Sequence, residues 1–174
     1  MLVVISDLHL TDGTSGETIK AGAFERFAGE LTSLAQNASQ RADETCRPID
    51  GVDVLLLGDI LDVIRSSKWL DSGVRPWDDA AKIAPVVEDI TAQILAHNDE
   101  SLRLLRNLNN RVAVDVGGTA VEVPLRFHFM VGNHDWFYHL PGAAYDATRA
   151  HIIDAFGLAA TTHGDNRQIG RAHV

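Results

Sequence analysis

Three short polar clusters hold the residues best suited to chemistry: Asp7-Leu8-His9, Gly58-Asp59-Ile60-Leu61-Asp62 and Gly132-Asn133-His134-Asp135. Their side chains offer carboxylate oxygens, an amide oxygen and imidazole nitrogens, with no thiolate. That donor set suits Mn, Fe, Zn, Mg or Ni rather than a structural zinc site built on cysteines. Taken singly, each cluster also reads as a turn. Asp-x-His fits an Asx turn, Gly-Asp-x-x-Asp a turn that caps the next helix, and Gly-Asn-His-Asp a tight turn with Gly and Asn at its special torsions. All three follow continuous apolar runs, however, and that shared setting points to one site.

The runs that must position them are Leu2 to Ser6, Val52 to Leu57 and Phe127 to Val131. Continuous apolar runs of this length predict strands covered on both faces, in an α/β sheet flanked by helices. Ligands of open α/β sheets bind outside the carboxyl ends of the strands, so the three clusters are expected to converge. Phe24, Phe27, Leu31 and Leu34 predict a helix within residues 19–38. Residues 66–80, with two Trp, a Pro and several Asp, read as an irregular loop. Apolar positions from Ile83 to Asn109 predict one long helix or two with a break near His97-Asn98-Asp99. Val112 to Val116 and Ala120 to Val123 form a hairpin pattern around Gly117-Gly118. Residues 142–157 read as a helix and Leu158 to Thr162 as a further strand.

With 45% hydrophobic and 22% charged residues, the 174-residue chain has the composition of a globular domain, which excludes a disordered or collagen-like protein. No apolar run approaches the ~20 residues of a membrane span. The opening run is too short for a secretory signal, and Cys46 stands alone, so a cytoplasmic protein without an internal disulfide is expected. Fifteen basic against 24 acidic residues give a net charge of -9, which disfavours a nucleic-acid grip. Phosphate chemistry stays open, because carboxylates loaded with divalent cations no longer repel anions.

Ser6-Asp7-Leu8-His9-Leu10, Gly58-Asp59-Ile60-Leu61-Asp62 and Gly132-Asn133-His134-Asp135 together resemble the signature of the calcineurin-like metallophosphoesterases. Thr162-His163-Gly164-Asp165 matches a fourth element of that family, whereas its final Gly-His-x-His segment is absent. The resemblance spans residues 2–165 and implies a two-sheet sandwich flanked by helices, incomplete at its C-terminal end. It also implies two divalent metal ions. Asp7 and His9 would bind the first, Asp59 would bridge both, and Asn133 and His163 would serve the second. His134 would act on the leaving group as general acid or charge stabiliser. Asp135, grouped with it as catalytic, and Asp62 would orient His134, the ligands or the loop backbone. The implied function is divalent-metal-dependent hydrolysis of a phosphomonoester or phosphodiester. The rivals are a non-catalytic scaffold that kept the fold and, within the family, a nuclease or a UDP-diacylglucosamine-type pyrophosphatase. Ile64 stands where many relatives have Gly, which with His-Gly-Asp is similar to the UDP-diacylglucosamine hydrolase branch. Asn133-His134-Asp135 is similar to the general phosphatase pattern instead.

The remaining histidines divide by setting. His128, inside the third run, reads as a packed strand residue, and His97 and His151 read as surface residues of helices. His139, among Trp136, Phe137 and Tyr138, reads equally as a pocket residue or as packing beneath the loops. Trp69, Arg75 and Trp77 mark a segment able to cover the site. Residues 169–174, Ile-Gly-Arg-Ala-His-Val, translate a stretch of a common sequencing-library adapter in register. They are expected to be a non-native tail after a domain portion of residues 1–168, so His173 is not counted among the ligands.

Overall fold

The computed structural model describes residues 1–16, 19–108 and 112–158, and the backbone of 169–170. Four strands form a sheet: β1 (Leu2–Ile5), β2 (Val52–Leu57), β5 (Leu125–Met130) and β6 (Ile169–Gly170), in the order β1-β2-β5-β6 and all parallel. A separate antiparallel pair, β3 (Ala113–Val116) and β4 (Thr119–Glu122), is the expected hairpin. The helices are α1 (Ala21–Ser39), α2 (Lys68–Asp71), α3 (Ala80–His97), α4 (Asp99–Asn107) and α5 (Ala143–Phe156), with a 3-10 helix at Trp136–His139. The fold is mixed α/β, and no helix among the described residues is long and apolar enough to cross a membrane. The strand expected to open at Leu158 runs through residues 159–162, which lie outside the described residues. Ile169 and Gly170, assigned from sequence to the tail, pair with Phe129 and Met130.

Parallel register does the positioning. Ile5 pairs with Leu56, and Leu57 pairs with Met130. The residues that follow each strand therefore emerge at one level of one sheet edge, as expected of an α/β sheet.

Burial alternates along the strands. Val52, Val54 and Leu56 of β2 and Leu125, Phe127 and Phe129 of β5 are buried and belong to the core with Ile83, Val87, Ile90 and Ile152. The other face is open: Leu2 is 64%, Val4 48% and Leu57 43% exposed. The expectation of strands covered on both faces therefore holds for one face only among the described residues. A continuous apolar run cannot tell the two cases apart, because it reads the same whether its second face is covered or bare.

His128 lies on that open face and is not packed in the core. Its Nε2 is 2.9 Å from Asp53 Oδ1, and Arg126 donates to both oxygens of the same carboxylate at 2.8 and 2.9 Å. His97 and His151 are exposed, as read from sequence.

The segment 66–80 is more ordered than its composition suggests. Trp69 is buried, donates through Nε1 to the carbonyl of Val63 at 2.8 Å, and stacks on Phe137 at 5.4 Å. Tertiary packing here overrides the turn-rich sequence and closes a single helical turn. Between α3 and α4 the break falls at Asn98. Its buried amide donates to the carbonyls of Ile94 and Thr11, both at 2.8 Å, so the helix junction also supports the loop that follows β1.

Hydrogen bonds from Arg126 and His128 hold the Asp53 carboxyl down at about 2, below its usual 3.8. A depressed pKa contributes stability that is present above about pH 4 and is lost as pH falls through about 2. Urea titrations at pH 5 and pH 2.5 should show Asp53→Asn losing less stability over that interval than the parent chain. Equal losses would remove this carboxylate from the account of acid sensitivity.

Candidate metal centre

The site is built first from backbone. Beyond the strands, Asp7 N–H donates to Gly58 O at 3.2 Å, His9 N–H to Asp59 O at 2.9 Å and Leu10 N–H to Ile60 O at 2.8 Å. Asp62 N–H returns to Leu10 O at 2.9 Å, and Gly58 N–H donates to Met130 O at 2.9 Å. The loops after β1 and β2 thus continue the parallel pairing up to a bridge at Leu10 and Leu61.

Along this ladder Asp7, His9 and Asp59 all hold positive φ, at 57°, 47° and 52°. For residues with a Cβ this left-handed conformation costs on the order of 1–2 kcal/mol each. Strain of this kind persists where surrounding bonds over-determine it, and it gathers at functional sites. The loop after β5 closes against the same place. A Cβ added to Gly132 would lie 2.5 Å from Asp59 N and collide with Asp59 Oδ1, so only glycine allows the two loops to meet.

Two overlapping sets of side chains result. In the first, one donor atom from each of Asp7, His9 and Asp59 lies within 4.8 Å of the other two, and His9 Nε2 is 3.8 Å from Asp7 Oδ1. Donors bound to one cation at about 2.0–2.2 Å lie roughly 3–4 Å apart, so small rotations bring this set onto an ion. Two carboxylates and an imidazole also match the hard and borderline divalent metals. In the second set, buried Asp62 accepts from His9 Nδ1 at Oδ2 and from His134 Nδ1 at Oδ1, both at 2.9 Å. Arg65 donates to Oδ2 as well.

Although His9, Asp62 and His134 also lie within 4.8 Å of one another, their contacts are carboxylate–imidazole hydrogen bonds through Nδ1. That arrangement fixes the tautomer and leaves Nε2 as the His9 atom that faces Asp7. The first set is therefore the candidate metal position, and the second orients His9 within it. Burial pushes the Asp62 carboxyl up, but the bond from His134, the charges of Arg65 and His134 and the bond from His9 together hold it below its usual range.

His134, a member of the second set, also adjoins the first. Its backbone N–H donates to Asp59 Oδ1 at 2.9 Å, and its ring meets that of His9 edge-on at 4.5 Å. Asn133 precedes it on the same loop and is exposed. His163 lies outside the described residues.

Asp135, grouped with His134 as catalytic on sequence, is fully buried beneath the loops. Its Oδ1 accepts from Gly132 N–H at 2.5 Å, and its Oδ2 from Ile60 N–H at 3.0 Å and Leu61 N–H at 3.4 Å. It therefore orients loop backbone, one of the roles the resemblance implies, and has no surface open to solvent. Burial pushes its carboxyl up to about 6 against those three donors, with Asp59 adding to the rise. The aromatic residues after it are packing: Trp136 stacks on Phe137 at 4.4 Å, and Phe137 and Tyr138 are buried. Trp69 is buried with them, whereas Arg75 and Trp77 are exposed.

Arg65 and Asp12 are functional candidates that no motif marks. Arg65 sits three residues after Asp62, a spacing that brings side chains together on a helical turn, and that is its one visible signal in the sequence. Comparison with protein-family models, curated proteins and solved structures finds no match to this chain.

Asp135→Asn keeps the shape but turns an amide N–H toward a backbone N–H, leaving a buried donor unsatisfied. It should cost about 1–3 kcal/mol in urea unfolding. Unchanged stability would contradict the role of Asp135 as the tie beneath the loops.

Proposed function

We propose that the chain is a divalent-metal-dependent phosphoesterase of the calcineurin-like metallophosphoesterase type, acting on a phosphomonoester or phosphodiester. The observation that carries this reading is the meeting of Asp7, His9 and Asp59 with a neighbouring His134 that is held through Nδ1 by Asp62. Asp7, His9 and Asp59 would hold one divalent cation, and Asp59, Asn133 and His163 a second. Bound there, such ions neutralise phosphoryl oxygens and lower the pKa of water.

The chain's own residues supply the rest. Asp62 orients His9 so that Nε2 faces Asp7, and it orients His134 so that Nε2 is the atom free to share a proton with a departing oxygen. The Asp59 carboxylate is itself held by the His134 N–H, which links the metal position to the loop carrying the acid. An imidazole suits this task because its ordinary pKa lies near neutrality. A two-sheet sandwich, with a further layer over the open face of the sheet, accords with the same reading.

The roles separate by measurement. With Mn supplied, the parent chain should hydrolyse nitrophenyl phosphate or bis(nitrophenyl) phosphate slowly, because it lacks the two Gly-His-x-His imidazoles that the resemblance would supply. Asp59→Asn should lose metal, because it removes the charge common to both positions. His134→Ala should keep its metal content while turnover falls about 10²- to 10⁴-fold, with a smaller loss for esters of good leaving groups. Equal metal loss in both variants would overturn this division, and a metal-loaded chain without activity on either ester would overturn the function.

A further inference from the structure

Asp12 lies three residues beyond His9, and Ser66 four beyond Asp62. Asp12 is only 3% exposed, yet both of its oxygens are occupied. Ser66 Oγ donates to Oδ2, and Thr14 donates to Oδ1 through its N–H at 3.0 Å and its hydroxyl at 2.6 Å. The link is doubled by Ser67 N–H, which donates to Thr14 Oγ1 at 3.0 Å. Behind it, Gln93 of α3 donates to Asp12 O at 3.2 Å, and Asn98 donates to Thr11 O. Burial pushes the Asp12 carboxyl up, but the bonds from Ser66 and Thr14 and the charge of Lys68 outweigh it and hold the group below its usual range. Hydrogen bonds to an ionised carboxylate are shorter and about twice as strong as neutral ones, so this tie is stiff.

Its place in the ladder gives it a consequence for the site. The bridge at Leu10 and Leu61 has the β1–β2 pairing on one side and the Asp12–Ser66 tie on the other. His9 and Asp62 flank that bridge, one on each loop, and their side chains bond at 2.9 Å. We propose that Asp12 is a positioning residue of the metal centre: through Ser66 it clamps the loop after β1 onto the loop after β2, and so holds His9 against Asp62. The inference rests on reading Asp7, His9 and Asp59 as the metal position. The partners of the Asp12 carboxylate, Ser66 and Thr14, are not metal-position residues, so its effect passes through backbone.

The test pairs manganese binding, followed by electron paramagnetic resonance, with the imidazole Nδ1–H signal of His9 in the metal-free protein. Asp12→Ala and Ser66→Ala should each weaken manganese binding about 10- to 100-fold and abolish the His9 signal. Asp12→Asn, whose amide can accept from Thr14 and donate to Ser66 Oγ, should retain most of both. Ser39→Ala is the stability control: it removes a buried hydroxyl that donates to Ala35 O and accepts from Ile49 N–H, outside the site. It should lower stability and leave manganese affinity unchanged. Where Asp12→Ala does not fold, Ser66→Ala carries the test. Unchanged affinity with an unchanged His9 signal in the folded variants overturns the proposal, as does an equal loss of affinity in Ser39→Ala. A parent chain that binds no manganese overturns the metal reading instead, and the His9 signal then decides on the clamp by itself.

Discussion

A single carboxylate, buried and charged, has to find a partner for each of its oxygens or it destabilises the fold by several kcal/mol. Asp62 meets that demand with His9 and Arg65 on one oxygen and His134 on the other. The rest of the site follows from this group. It draws the first and third polar clusters onto the second, sets the tautomers of both imidazoles, and leaves one Nε2 beside Asp7 and the other turned away from the carboxylate. The acidic composition of the chain matters less to the site than this one local balance of charge.

The backbone bears the cost of holding the site. Three residues with side chains, Asp7, His9 and Asp59, sit in left-handed torsions, and Gly132 packs so closely on Asp59 that no Cβ fits. Such an arrangement is unstable in isolation. It is kept in place by the inter-loop ladder, by Asp135 accepting three N–H groups from beneath, and by the Asp12–Ser66 tie at the outer end. The strain therefore sits where three independently anchored loops converge. Placing it there fixes donor atoms without relying on long, flexible side chains.

Much of this is legible in the sequence, for a physical reason. A strand that ends in a polar cluster carries both its period and its punctuation in adjacent residues, so the amino-acid order alone places Asp7, His9, Asp59 and His134 at strand ends. The break between α3 and α4 is half legible: His97-Asn98-Asp99 marks where it would fall, but the apolar spacing fits one long helix equally well, and the bond from Asn98 to Thr11 O that fixes the junction is a distant contact. What is not legible depends on distant contacts. The helical turn of α2 exists because Trp69 packs on Phe137, and nothing near Trp69 in the chain announces that. The open face of the sheet is hidden because Leu2-Val3-Val4-Ile5 reads as doubly buried. His128 is hidden with it, since it reads as a residue of a covered strand. Asp135 adjoins His134 in sequence and groups with it there, although only the fold shows its oxygens turned to backbone N–H groups. Asp12 and Arg65 belong to no motif and acquire meaning only from the loops they join.

If Asp7, His9 and Asp59 form the metal position while Asp62 and His134 stand beside it, anomalous diffraction from crystals grown with manganese should locate the ion there. A peak is expected about 2.0–2.2 Å from a carboxylate oxygen of Asp7, Nε2 of His9 and a carboxylate oxygen of Asp59, with both Nδ1 contacts to Asp62 intact. A peak enclosed by His9, Asp62 and His134, or no peak at saturating manganese, would contradict it.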